Sequence, residues 1–313
     1  MALTRKVFLI AKTETTEGTD SSPVGGSNAI QLTSIELTPM EADVVTAASF
    51  QGFIGASTRA SVPANKRVSV SFDVELGGSG TAGTAPAFGP LLKACGCSET
   101  IVASTSATYA PVSSSFDSVT LYCFYEDTRH VITGARGTMS INLSAGQLAT
   151  MSFQFTGIFN DPDSTALSGT FTVANQAAAL EVNDTNVTTA TFFGETNQRI
   201  ESLDFALNNS LIYKETASSK QALIVDREAG GTCVIEAPAR STTDYFEDAR
   251  GTTTASSSIV LGATAGNITT LTMAQTDITG ISYGDTNGVQ SLSLPYVARP
   301  TTAGNNSFSL AFT

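Results

Sequence analysis

A single histidine, His130, and four cysteines, Cys95, Cys97, Cys123 and Cys233, are the side chains of this sequence best suited to nucleophilic, acid–base or metal chemistry. A Cys-x-Cys followed by two isolated cysteines, with one imidazole in the chain, fits no common zinc spacing. Buried free thiols in a reducing compartment are the expected state. His130 stands beside Arg129 at the end of a polar turn, with no serine or cysteine motif near it, which is the place of a solvated turn residue rather than a base. "GGSG" at 77–80 lacks the strand-to-helix elbow of Gly-x-Ser-x-Gly hydrolases, and no lysine follows "GGSGTAG" at the spacing of a phosphate-cradling loop. Asp161 and Asp163 in "NDPD" resemble the start of a calcium loop, but the other oxygen ligands and the closing glutamate are missing, so a linker is expected there. No catalytic, cofactor or metal residues are therefore assigned, and an enzyme is not expected.

The elements that would carry any site are strands. "RVSVSFDVEL" puts Val68, Val70, Phe72, Val74 and Leu76 on one face and Arg67, Ser69, Ser71, Asp73 and Glu75 on the other, the pattern of a sheet with one dry and one wet face. "IQLTSIEL" reads as a second strand, and between the two lies a predicted loop from Pro39 to Lys66 carrying Phe50, Phe53 and Ile54. These three either fold back onto their own sheet or meet a neighbour. Phe88, Leu91, Leu92 and Cys95 follow helical spacing, with a proline at the first turn and Gly96 beyond the end. "SVTLYCFYEDTRHVITG" and "GTMSINLSAGQLATMSFQFTG" read as hairpins, turning at Glu126–Arg129 and Ser144–Gly146.

The order then recurs. "IESLDFALNN" matches "IQLTSIELTP" at a shift of 170, a helix at "TTDYFEDARG" stands where the first helix stood, and "NGVQSLSLPYVARP" repeats the alternation of "GQLATMSFQFTG". The chain thus reads as mainly β, with two diverged copies of a β-sandwich or barrel unit, each with a short flanking helix. An N-terminal arm at 1–28 precedes a first domain at 29–162 and a second at 163–313, joined near "IFNDPDSTALSG".

With 28 acidic and 16 basic residues the net charge is −12. Residues 1–162 hold 9 basic and 13 acidic side chains, and residues 163–313 hold 7 and 15. That excess opposes a grip on nucleic acid, which needs clustered Lys and Arg, yet permits a wall past which DNA moves. The apolar run Val7–Ala11 is short for a signal peptide and no stretch reaches transmembrane length, so folding in the cytoplasm is expected and membrane binding is not.

The segments "VFLIAKTETTEGTD", "SGTAGTAPAFGPLLKACG", "HVITGARGTMSINLSAGQLATMSFQFTG" and "PYVARPTTAGNNSFSLAFT" together resemble the tail tube (major tail) proteins of long, flexible-tailed bacteriophages, particularly transposable phages of Pseudomonas-like hosts. The resemblance spans nearly the whole chain. It implies a structural virion protein without catalysis or cofactor, assembled in the host cytoplasm into stacked rings around a channel for DNA ejection. A duplicated chain would make trimeric rings of pseudo-sixfold symmetry. Tape measure, tail tip and tail terminator proteins would be its partners, and genomic DNA would pass without specific binding. Arg67, Ser69, Ser71, Asp73 and Glu75 would face the lumen, with Arg67 near a rim. Residues 1–28 and 39–66, including Phe50, Phe53 and Ile54, would stack the rings, with Leu211 to Asp226 as the second copy's shorter loop. A secreted β-sandwich surface adhesin and a capsid decoration protein are the rival readings. The first is opposed by the short N-terminal apolar run and unpaired cysteines, and the second is separated by polymer shape.

Overall fold

The computed structural model describes residues 6–46, 52, 54 and 60–313, and it is mainly antiparallel β-structure with two short helices. In chain order the first elements are β1 (Val7–Thr13), β2 (Ala29–Ile30), β3 (Ser34–Val45), β4 (Val62–Glu75), α1 (Gly89–Ala94), β5 (Cys97–Val102), β6 (Ser106–Pro111), β7 (Val119–Tyr125), β8 (Thr128–Ser144) and β9 (Thr150–Phe159). Then follow β10 (Val187–Phe192), β11 (Glu195–Thr196), β12 (Ile200–Ala206), β13 (Asn209–Glu215), β14 (Lys220–Arg227) and β15 (Gly230–Glu236). The chain closes with α2 (Tyr245–Arg250), β16 (Ala255–Leu261), β17 (Thr269–Ile278), β18 (Ser282–Thr286), β19 (Val289–Arg299) and β20 (Phe308–Phe312).

The hydrogen-bonded order β1-β7-β8-β9-β4-β3 recurs as β10-β16-β17-β19-β15-β12. The two sets meet because β8, 17 residues long, outruns β7 and gives its last residues to β12. One sheet therefore runs β3-β4-β9-β8-β12-β15-β19-β18. Both ladders thus end on a strand of the same place, β3 beyond β4 in the first and β12 beyond β15 in the second, the two segments that the sequence repeat relates.

Along this sheet the apolar sides form buried rows, for example Val74, Met151, Ile141 and Phe205. Phe72 stacks on Phe153 and Phe155 with centroids 5.6 and 5.9 Å apart. α1 packs beside these rows, against β1, β5, β7 and β8, with Leu91, Leu92 and Cys95 all fully buried at the predicted helical spacing. α2 begins at Asp244, whose side chain accepts the Glu247 backbone N–H as an N-cap, and Tyr245 packs toward Phe192. A further ladder joins the C-terminal β20 to β6, placing Phe312 against Phe88 and Tyr109. One apolar cluster thus holds residues from Leu9 to Phe312, and the halves share a core rather than each burying its own.

Three connecting segments differ from expectation. The N-terminal stretch is no loose arm: β1 pairs along its whole length with β7 and buries Leu9, Ile10 and Ala11, because "VFLIAKT" finds an equally apolar partner in "VTLYCFY". Glu17 behind it receives both Nη groups of the buried Arg136 at 2.9 Å, while that guanidinium also donates to the carbonyls of Phe116, Asp117 and Ala222. The segment after β9 is a belt rather than a free linker. Gly25 exchanges backbone bonds with Ser168 and Thr172, Ala177 bonds Gly78, and Leu167, Phe171 and Val173 cover Ile10 and Phe124. The long loop is shorter than Pro39–Lys66, since β3 and β4 extend to Val45 and Val62 as a protruding hairpin, and Leu211–Asp226 is likewise the β13–β14 hairpin. The first stands clear of the core with no dry face to impose alternation, while β13–β14 lies against β4, β8 and β9 and buries Ala222 and Ile224.

The two sheet faces should answer differently to truncation. Phe155→Ala is expected to cost about 3–5 kcal/mol, as for a fully buried aromatic, while Ser71→Ala on the opposite face should stay within about 0.5 kcal/mol. Urea midpoints of the two variants check this; equal shifts would contradict the assignment of faces.

Candidate functional site

The wet face of the shared sheet is one continuous polar surface. One row runs Ser34, Asp73, Ser152, Ser140 and Ala206. The next runs Glu75, Thr150, Asn142, Asp204 and Thr232. This face holds a trough of about 640 Å³ lined by Ser34, Glu36, Ser71, Asp73, Ser140 and Gln154 and bordered by Ala206 and Asn208. The Ser34 hydroxyl donates to Asp73 at 2.6 Å, and the Asn142 amide donates to Asp204 across the β8–β12 seam.

Charge on this face is acidic in effect. Arg67 lies at the end where the β3–β4 hairpin leaves the sheet, paired with Glu41 at 3.0 Å and Asp43 at 3.5 Å. Arg199, just before β12, pairs with Glu236 at 2.7 Å. Among the described residues no lysine or arginine ion-pairs with Glu36, Asp73, Glu75 or Asp204. Ser69, Ser71, Asp73 and Glu75 share one face with Arg67 in line behind them, as their alternation predicted. The sequence reading missed the other half of the surface, Asn142, Asp204 and Thr232. Its signal was the alternation of "MSINLS" and "IESLDFA", which shows a polar side without showing that two distant strands pair.

The sheet ends in two open edges. Among the described residues β3 pairs with β4 alone and β18 with β19 alone. Beyond the sheet stands the β3–β4 hairpin with exposed Val44, Val45 and Val62. Of the residues proposed for its tip, Ile54 is fully exposed, while Phe50 and Phe53 lie outside the described residues.

Residues 4–305 match the model of a protein family described as phage tail tube protein. The chain belongs to this phage tail tube family. No curated protein matches it significantly. Membership makes the chain a structural component of a phage tail and not an enzyme, and the β-rich architecture agrees with a tail tube fold.

The residues singled out for chemistry have structural roles in this tail tube family member. All four cysteines are buried and free, and burial pushes the thiols of Cys97 and Cys123 up to about 12, far from nucleophilic use. His130 sits in β8 opposite Cys123 with its ring edge-on to Tyr125 at 6.0 Å, and burial lowers its pKa. It is a strand residue, not a solvated turn residue, because the turn closes in the two residues Glu126 and Asp127. The glycines of "GGSG" serve close packing: a Cβ on Gly78 would stand 2.1 Å from the Gly266 carbonyl oxygen, and Gly78 N–H donates to Asn267 Oδ1 at 2.7 Å. Among the described residues no group of three or more His, Cys, Asp or Glu is placed to hold a metal ion.

Asp163 fastens the belt. Its carboxylate accepts Arg129 Nε at 3.0 Å and Nη2 at 2.6 Å, which holds its pKa down at about 2. A carboxyl held below its unfolded value of 3.8 adds stability that is complete above that value and disappears as pH falls through about 2. Asp163→Asn should therefore melt lower than wild type at neutral pH, the gap closing below about pH 4. Thermal melts across pH 2–7 check this, and a gap independent of pH would contradict the ion pair's role.

Proposed function

We propose that the chain is the repeating subunit of the tube of a long, flexible phage tail, of the kind carried by transposable phages of Pseudomonas-like hosts, and that it forms stacked rings around a channel for DNA ejection. The observation that carries this reading is the acidic sheet face with its trough, which ends in two open edges. Glu36, Asp73, Glu75 and Asp204 would face the lumen together with Ser69 and Ser71, and Arg67 would lie at a rim. Phosphates slide past such a wall because it offers no clustered cations to displace their counterions.

The repeated strand order supports two tail-tube-like units, 29–162 and 163–313, and hence trimeric rings of pseudo-sixfold symmetry. β1 belongs with the first unit, so the protruding β3–β4 hairpin, together with the β13–β14 hairpin that lies against β4, β8 and β9, rather than the N-terminal segment, would stack ring on ring. Assembly would take place in the host cytoplasm with tape measure, tail tip and tail terminator proteins.

Negative-stain electron microscopy with native mass measurement tests this on the purified chain, alone and with a tail-tip extract. Hollow rings of three subunits, or tubes built of such rings, are expected, and six chains per ring would retain the tube while removing the pseudo-sixfold argument. Persistent monomers in the presence of the extract, or a density map with Asp73 and Glu75 on the outer wall, would overturn the reading.

A further inference from the structure

Among the described residues, the β13–β14 hairpin alone forms a two-stranded sheet separate from the large one. The chain leaves the large sheet through Asn208, whose φ of 50° is left-handed, and then through a bulge between Ser210 and Leu211, two kinks in close succession. One polar node fixes the root. Asn209 Nδ2 donates to the carbonyls of Cys95 and Gly137, each at 2.8 Å, its Oδ1 accepts Arg227 Nε at 2.9 Å, and Arg227 Nη2 donates to the Gly96 carbonyl at 2.9 Å. Open space borders this root: a cleft of about 660 Å³ lined by Phe116, Val225, Val297 and Pro300, and another of about 520 Å³ lined by Asn208, Ser210, Gly230 and Tyr296.

Beyond its root the hairpin is held lightly. It lies on the wet side, past the end of the trough: the Asn209 N–H donates to Thr138 Oγ1, and Arg136, two residues along β8, donates through Nη1 to the Ala222 carbonyl at 2.7 Å. Among the described residues that last bond is the one hydrogen bond between residues 211–224 and the rest of the chain, and Arg136 has Glu17, Phe116 and Asp117 as further acceptors. The inner side carries Tyr213, Ala222 and Ile224, with Tyr213 within electrostatic reach of Arg67 at the base of the β3–β4 hairpin. The outer side carries Ile212 and Val225, 43% and 54% exposed. Tyr213 Oη is buried with no hydrogen-bond partner, a cost that the seated position bears and an open one would not. We propose that β13–β14 is a hinged lid, closed in the free subunit over the Arg67–Arg136 end of the polar face, and that it swings about Asn209 and Arg227 to uncover that end. Opening extends the trough from Thr138 and Gln154 toward Thr156 and Ser69, and brings Tyr213, Ala222 and Ile224 to the surface. The device belongs to the single subunit and stands whether or not rings form.

The test is pulsed electron paramagnetic resonance on the monomer, with nitroxide labels at Ser218→Cys on the exposed tip of the hairpin and Ala145→Cys in the exposed β8–β9 turn. The native cysteines are buried, so the labels go to the introduced thiols. The labelled chain should show two distance populations, the closed one larger. Adding Tyr213→Phe removes the unpartnered hydroxyl from the seat and should shrink the open population about fivefold. Adding Ile224→Asp puts a charge into the seat and should make the open population the larger. A single distance in the labelled chain overturns the lid and leaves a fixed hairpin, and so does a second population that Tyr213→Phe leaves unchanged. The Tyr213→Phe arm decides the matter by itself if the Ile224→Asp chain does not fold.

Discussion

The ladder between the end of β8 and β12 is the constraint on which the rest of the structure depends. It is five residue pairs long, and through it two sheets that would otherwise end at open edges become one. Because strand side chains alternate strictly, joining the sheets in this register also joins their faces: Ile141 and Leu143 meet Phe205 and Leu203 on the dry side, Asn142 meets Asp204 on the wet side. The continuous polar face and the apolar rows behind it follow from that alignment, and the β6–β20 ladder ties the two halves together a second time.

The polar face gains its character from what it lacks. Its cations stand at the margins and are engaged by acids, Arg67 by Glu41 and Asp43 and Arg199 by Glu236. What remains over the strands is hydroxyl, amide and carboxylate, a surface that hydrates well and repels phosphate mildly. Ionic and polar links are concentrated elsewhere, where segments that are not strands must be held. Arg136 directs its donors to the N-terminal segment, the 116–117 loop and β14, and Arg129 ties the belt through Asp163.

Membership of a tail tube family gives this division of labour a purpose. A structural component of a phage tail needs a rigid, well-packed sheet more than it needs a reactive pocket. The residues most suggestive of chemistry fit that purpose: cysteines fill core space, "GGSG" lets backbones cross closely, and Asp163 anchors a connection.

From sequence alone one can read which residues of this protein alternate, so the dry row Val68 to Leu76, the wet row Arg67 to Glu75, the α1 spacing and the Asn287–Gly288 hairpin turn are all legible in the chain's own pattern. The acidic balance and the absence of a catalytic constellation are legible too, since they depend on residue types and short spacings. What only the tertiary structure decided was partnership: that β1 joins β7, that β8 outruns β7 to reach β12, and that β20 closes on β6. Alternation has a period of two and carries no label for the partner strand. Register between segments far apart in the chain is chosen by apolar contacts summed over the whole sheet, and that sum exists only once the sheet has formed.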